Sequence, residues 1–243
     1  MESTTRAGWR IEPVGDRCLM VEFGQRVDPA INDTVHALAD RLLEHPIEGV
    51  TDVVPAFTTV AIHYRPEALE GAGTGTQTAY RELERRIEAI LSGGFERTRG
   101  EARTVEIPVC YGGEFGPDLD DVAKACGLSA QQVIELHAAS PHVVYMLGFA
   151  PGFPYMGGLD ARLAMPRRST PRVRIPAGTV AIAREQSAIY TLESPGGWNL
   201  LGRTPVQLFT PHAEPPTLLR PGDHVRFVPI TREQFDAAAG AAR

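Results

Sequence analysis

The stretch Gly148-Phe149-Ala150-Pro151-Gly152-Phe153-Pro154-Tyr155-Met156-Gly157-Gly158-Leu159 decides how the fold is read. Turn-forming Gly and Pro alternate with aromatic residues, a pattern that no helix of ordinary length tolerates. The same texture extends outward. Residues 141–223 hold 12 prolines and 9 glycines, about a quarter of the segment. Only short β-rich pieces fit between them: 143–147, 173–175, 180–182, 189–192, 206–209 and 225–228. Many short strands with Gly/Pro turns predict a closed barrel or a sandwich. The 148–158 loop then has two readings. It is a set of tight turns whose aromatics fill a barrel mouth, or a rigid loop that brings backbone N–H groups and flat rings to a ligand.

Upstream the pattern changes. Residues 18–23 read as a strand. Asp28-Pro29 reads as an N-cap followed by proline at the first helical position. Ile31, Val35, Leu38 and Leu42 follow at helical spacing, and Pro46 stops the helix. Strands are predicted at 50–54 and 58–64, a Gly-rich loop at 71–75, and a second helix over 76–91 closed by Gly93-Gly94. A strand at 104–109 completes a β-α-β-β-α-β order, the ferredoxin-like split βαβ arrangement. Two short helices come next. One spans 118–125 and is closed by Gly127; the other starts at Ser129, whose spacing to Gln132 matches a capping box. The tail, 237–243, reads as frayed. The fold class is therefore α+β, with an N-terminal domain over 1–103 and a β domain over 104–243.

Composition excludes several classes. The 243 residues are 43% hydrophobic and 22% charged, which excludes disorder as the main state. A net charge of −6 argues against nucleic acid as a partner. No apolar run reaches the ~18 residues of a membrane helix, and residues 1–10 carry no signal-type apolar region. Three scattered cysteines point to a reducing cytoplasm without a disulfide framework. Lys124 is the single lysine among 24 basic residues. It has no Gly-rich loop before it and no Ser or Thr after it, so it belongs to no P-loop. Ser-x-x-Lys chemistry is excluded, because Asp121 stands three residues before it.

Residues 141–210 carry seven Arg against Asp160, Glu185 and Glu193, and five of those Arg lie within 162–174. This suits an anionic small molecule or an acidic partner; the plainer alternative is a solvated strand face. Arg172 and Arg174, two apart, fall on one side of a strand. Trp198, after Ser194-Pro195-Gly196-Gly197, is a core residue or a stacking wall, with Arg203 as an anion clamp. Ser194 is outside Gly-x-Ser-x-Gly and is no nucleophile elbow. His137 and His142 flank Ser140-Pro141, a spacing poor for a shared metal, so no metal is expected. His137 is a candidate general base, weighed against the commoner hydrogen-bonded structural histidine.

Four motifs, Gly148 to Asp160, Pro166-Arg-Arg-Ser-Thr-Pro-Arg172, Ile175 to Ile182, and Ser194-Pro-Gly-Gly-Trp-Asn-Leu-Leu-Gly-Arg-Thr-Pro205, resemble the family of the B subunit of 5-oxoprolinase. That family is also called allophanate hydrolase subunit 1 or the Kip kinase-inhibitor family. It is similar to one half of the carboxyltransferase domain of urea carboxylase. Gly15-Asp16, Val21-Glu-Phe-Gly24, Asn32 and the 49–55 stretch extend the resemblance over roughly residues 12–230.

The resemblance implies a cyclophilin-like β-barrel after the N-terminal domain and a homologous second subunit as partner. It also implies a third, lactam-handling subunit, with ATP-dependent opening of 5-oxoproline to glutamate. ATP would be used through a partner, with no cofactor bound by this chain. In that reading the barrel site binds a small cyclic amide. Gly152, Phe153, Tyr155, Ser194 and Trp198 line it, and Arg172 or Arg203 holds a carboxylate. Gly196 and Gly197 offer N–H groups to an oxyanion, while His137 or Tyr145 moves a proton. Gln186 is a further ligand candidate, although Arg184-Glu185 stand where the family often has Gly-Gly. Two alternatives share the fold: a carboxyltransferase half acting on urea or a related amide, and an inhibitor of a sensor histidine kinase.

Overall fold

The computed structural model describes residues 4–6, 8–69, 79–94 and 103–241. They fall into two compact units that divide between residues 101 and 102. The predicted 71–75 loop and the first three residues of the predicted second helix lie outside the described residues.

The first unit contains β1 (Thr4–Arg6), β2 (Trp9–Pro13), β3 (Cys18–Glu22), α1 (Pro29–Glu44), β4 (Val50–Pro55), β5 (Thr59–Tyr64), α2 (Pro66–Leu69) and α3 (Ala79–Gly93). The sheet order is β1-β2-β3-β5-β4, with every neighbouring pair antiparallel. β3 and β4 therefore run parallel with β5 between them, joined through α1, which is the expected split βαβ core. The Asp28 carboxylate accepts the Ala30 and Ile31 N–H groups at 2.8 and 3.4 Å, and Pro29 occupies the first turn, so α1 starts where its cap dictates. Val35, Leu38 and Leu42 of α1 pack with Tyr80, Leu83 and Ile87 of α3 onto Leu19, Val21, Val60 and Ile62 of the sheet. Each such side chain contributes roughly 1.5–3 kcal/mol by leaving water.

One strand assignment is corrected. The 104–109 strand does not complete this sheet. The place beside β3 is taken by β2, which precedes it in the chain. The β2 sequence Trp-Arg-Ile-Glu-Pro buries Ile11 alone, so alternation gives almost no signal there.

In the second unit, β6 (Thr104–Tyr111), β7 (His142–Leu147), β8 (Pro154–Gly157), β10 (Thr179–Ala183), β11 (Gln186–Ile189), β13 (Asn199–Arg203) and β14 (His224–Pro229) close a barrel. Their order is β10-β11-β8-β7-β14-β6-β13, and β13 pairs back onto β10. β6 and β14 are parallel; the other pairs are antiparallel. A separate ribbon joins β9 (Arg172–Ile175) to β12 (Ser194–Gly196).

Ile107, Val109, Val144, Met156, Val180, Ile189, Val225 and Phe227 form one core cluster of this unit. Helices α4 (Leu119–Cys126) and α5 (Ala130–Ala139) cover another around Leu119, Val122, Val133, Leu163, Ile182 and Leu201. Gly127 closes α4 in the left-handed conformation, and Ser129 with Gln132 forms the expected capping box of α5.

The tail differs from expectation: α6 (Arg232–Ala241) runs through it. Phe235 packs on Phe115 with ring centroids 4.5 Å apart. The predicted strand at 206–209 reduces to one bridge, between Phe209 and Thr217.

Candidate functional site

β10 is buried along its whole length, because both its faces are covered. Val180 points into the barrel cluster; Ala181 and Ala183, with Ala188 of β11, leave room on another face for large rings. Phe153, Tyr155, Tyr190 and Trp198 fill that room. Phe153 is the hub, with centroids 4.9 Å from Tyr155, 5.2 Å from Tyr190 and 6.4 Å from Trp198, and Tyr155 lies 6.0 Å from Trp198. The contacts are edge-on or tilted, as ring quadrupoles favour. Phe149 extends the cluster outward, 5.3 Å from Phe153 and 65% exposed. Its φ of 68° is left-handed, an uncommon state for a bulky residue, held by hydrogen bonds on either side of the turn.

Gly196 is required beside this cluster: a Cβ there would lie 2.1 Å from the Tyr190 hydroxyl. Burial pushes the Tyr190 phenol up to about 12. The Ser194 Oγ is buried without a hydrogen-bond partner among the described residues.

A strap of residues 166–172 is latched over this region. The Arg168 N–H donates to the Gly197 carbonyl at 2.7 Å, and the Asn199 side chain donates to the Pro166 carbonyl at 2.9 Å. Beneath it sits Asp118, 2% exposed, at the start of α4. Its carboxylate leaves the helix N-terminus uncapped and turns to the strap instead. It accepts both terminal nitrogens of Arg172 at 2.9 and 2.7 Å, Arg168 at 2.8 Å, and the Leu200 N–H at 2.7 Å. Arg172 is thus bidentate to an internal carboxylate.

Arg203 lies in a different constellation. Its Nε donates to the Ala177 carbonyl at 2.8 Å, and its guanidinium stands 5.8 Å over the Phe115 ring, whose surroundings include Arg232 at 4.6 Å. Arg167, between the two pinned residues of the strap, is exposed and stands 5.7 Å over Trp198.

The two candidate proton movers sit in different surroundings. His137 on α5 is fully buried, with the Tyr111 hydroxyl 2.8 Å from Nδ1 and the Ser187 hydroxyl 3.2 Å from Nε2. Burial, reinforced by His142, holds its pKa well below 6.5. His142 donates from Nε2 to the His137 carbonyl at 2.9 Å and is depressed to about 4, mainly by burial. Both rings pack on Phe227. Tyr145 is buried against Gly157, where a Cβ would lie 2.0 Å from the ring. Gln186 opens β11 after a two-residue turn, and Arg184 in that turn has φ 53°.

The structure therefore brings together Phe153, Tyr155, Trp198, Ser194, Gly196 and Gly197, with Gly152 in the loop that carries Phe153. It places His137 in a separate hydrogen-bond network and Arg203 on Phe115 and Ala177, ties Arg172 to Asp118, and lays the Tyr145 ring on Gly157, two residues along β8 from Tyr155. Sequence reasoning missed Asp118, Tyr190 and the special place of Arg167. Asp118 read only as a helix start, Tyr190 as one residue of a strand, and Arg167 as one charge in a run.

A split βαβ sheet in one unit and a closed barrel in the other, with a Gly-rich aromatic loop on the barrel, is the architecture of a carboxyltransferase-type domain. A model of the carboxyltransferase domain, subdomains C and D, matches residues 9–219, and the chain belongs to that family. Within it, the chain is 45% identical to the B subunit of 5-oxoprolinase from Bacillus subtilis (strain 168), over 94% of this chain and 96% of that protein. It is 42% identical to the protein of the same name from Escherichia coli O157:H7, over 89% of this chain and 94% of that one. The crystal structure of TTHA0988 superposes with a TM-score of 0.75 at 42% identity, over 88% of this chain. This chain spans only 40% of that one. The Kluyveromyces lactis urea amidolyase superposes with a TM-score of 0.73 at 20% identity, over 98% of this chain and 16% of the enzyme, a likeness of fold alone.

Proposed function

We propose that this chain is the non-ATP-binding subunit of an ATP-dependent 5-oxoprolinase complex. Together with a homologous second subunit and a third, lactam-handling one, it opens 5-oxo-L-proline to glutamate. The observation that carries this reading is the end-to-end match to two proteins named as the B subunit of 5-oxoprolinase, at 45% and 42% identity.

The site supports it. The Phe153–Tyr155–Tyr190–Trp198 rings are packed on one another and meet solvent through Phe149 and Arg167, and the unpartnered Ser194 hydroxyl stands beside Gly196-Gly197, residue types suited to an amide ligand at that edge. Ring opening breaks the lactam C–N bond and adds water across it. In this reading the driving nucleotide belongs to a partner; the single lysine, Lys124, sits exposed in the last turn of α4, outside any phosphate loop. Three free cysteines accord with a cytoplasmic complex.

The test is a tagged pull-down from the native host, with mass spectrometry of what co-elutes and an assay of ATP-dependent 5-oxoproline hydrolysis. Recovery of a homologous second subunit with that activity is the expected result. A biotin carrier or a sensor histidine kinase in its place, without the activity, would replace this reading by amide carboxylation or kinase regulation.

A further inference from the structure

We infer that Arg167 is the residue that reads the carboxylate of the substrate, so the site selects a small lactam or amide that carries a carboxylate over the same ring without one. The inference rests on the 5-oxoprolinase reading and names the specificity determinant of that same site.

The arginines of the block divide by what they already hold. Arg172 and Arg168 are bonded to the buried Asp118 carboxylate. Arg203 is bonded to the Ala177 carbonyl, Arg174 pairs with Glu193 at 2.6 Å, and Arg162 pairs with Asp160 at 2.6 Å. Arg184, in the turn before β11, and Arg167 have no carboxylate partner among the described residues; of the two, Arg167 stands against the Trp198 ring. An exposed guanidinium left without an anion over a buried indole ring has its five donors available for bidentate carboxylate binding.

Position supports this. The chain on both sides of Arg167 is fixed, by the Pro166 carbonyl on Asn199 and by the Arg168 N–H on Gly197. The cation is thereby placed without ordering a loop, which lowers the cost of binding. Its charge also reaches both phenols of the cluster, opposing the upward push of burial at Tyr155 and Tyr190. Arg167 therefore stands at the solvent-facing edge of the aromatic cluster.

The experiment uses the reconstituted complex and two probes, 5-oxo-L-proline and 2-pyrrolidinone, the same lactam without the carboxylate. KM and kcat for 5-oxo-L-proline are measured for wild type, Arg167→Ala and Arg167→Lys. Binding of both probes is followed by Trp198 fluorescence in a Trp9→Phe background, which leaves one of the two tryptophans. The inference expects Arg167→Ala to raise KM about tenfold or more, with a smaller effect on kcat and partial recovery in Arg167→Lys. It also expects the wild-type preference for 5-oxo-L-proline over 2-pyrrolidinone to disappear in Arg167→Ala. An active complex whose KM and probe preference survive Arg167→Ala overturns the inference and leaves the proposed function standing. A wild-type complex that hydrolyses no 5-oxoproline, yet shows a carboxylate preference that depends on Arg167, overturns the proposed function and supports the inference. Binding of neither probe overturns both.

Discussion

The barrel unit holds two clusters of polar and aromatic groups that differ in what their polar atoms already touch. In the Tyr111–His137–Ser187 network both nitrogens of His137 are hydrogen-bonded, the ring is fully buried, and Phe227 closes over it. In the Phe153–Tyr155–Tyr190–Trp198 cluster one nearby hydroxyl is unpartnered among the described residues, one adjoining aromatic is exposed, and one arginine stands over the rings without an anion. Residue type does not separate the two, since each contains tyrosine and serine. Access to solvent does: the histidine network is closed over, with the adjoining His142 Nδ1 buried and unpartnered as well, whereas the aromatic cluster borders the exposed Phe149 and Arg167.

The largest effect that would sharpen this contrast is at Asp118, whose carboxylate is buried and bonded inside the protein although it lies under the candidate site. Asp118→Ala leaves two arginines and the Leu200 N–H facing a void. It should cost about 3–5 kcal/mol in urea unfolding. A loss below about 1 kcal/mol would show that the strap is held by something else.

Acid comes next. His142 sits at about 4 in the fold against 6.5 for an ordinary histidine. The unfolded chain therefore takes up a proton below pH 6.5 that the folded chain refuses. Stability should be flat above that value and fall as pH drops towards 4, by on the order of 3 kcal/mol. His137 shifts in the same direction. A denaturation midpoint that stays constant from about pH 7 to about pH 4.5 would mean that the buried network admits protons freely.

Arg203 tests the boundary between the classes. Its bond to Ala177 and its stacking on Phe115 predict that Arg203→Ala costs about 1–2 kcal/mol of stability, read from the same unfolding curves. The clamp role expected from the sequence requires instead a loss of activity with no change in melting temperature. The smallest effect belongs to Arg184, whose positive φ a glycine would adopt without strain. Arg184→Gly should raise stability by up to about 1 kcal/mol, and a loss of that size would show that the side chain matters more than the turn.

Much of this was legible in the residues. Asp28-Pro29 and Ser129-x-x-Gln132 are caps whose side-chain chemistry acts within four residues, and both helices begin where those caps place them. The Gly/Pro texture of 141–223 forbids long helices; it left a barrel and a sandwich open, and the family resemblance pointed to the barrel. The tail, expected to fray, carries a local helix signal as well. Thr231 and Gln234 repeat the capping-box pairing, with the Thr231 N–H on Gln234 at 2.8 Å and the Gln234 N–H on Thr231 at 3.3 Å. That spacing stands two residues before a run of three alanines, the strongest helix formers.

Other features were not local. β2 joins the sheet through a single buried isoleucine, and nothing in five residues says which sheet they enter. The candidate site was found in part because several of its aromatics are clustered in one loop. The division of labour among the arginines was hidden, because Asp118 lies 50 and 54 residues from its partners Arg168 and Arg172. A charge run shows how many cations are present and not which of them are already neutralised.

The most direct measurement pairs one variant from each cluster in the reconstituted complex, with kcat/KM for 5-oxo-L-proline and the denaturation midpoint read on the same samples. Arg167→Ala should lower kcat/KM about tenfold or more and cost no more than about 1 kcal/mol of stability, from its lost contact with the Trp198 ring. Ser187→Ala removes the partner of the His137 Nε2 and should lower stability by about 1–3 kcal/mol, with kcat/KM unchanged where the protein is folded. The reverse pattern, with activity lost at Ser187 and only stability lost at Arg167, would contradict the account.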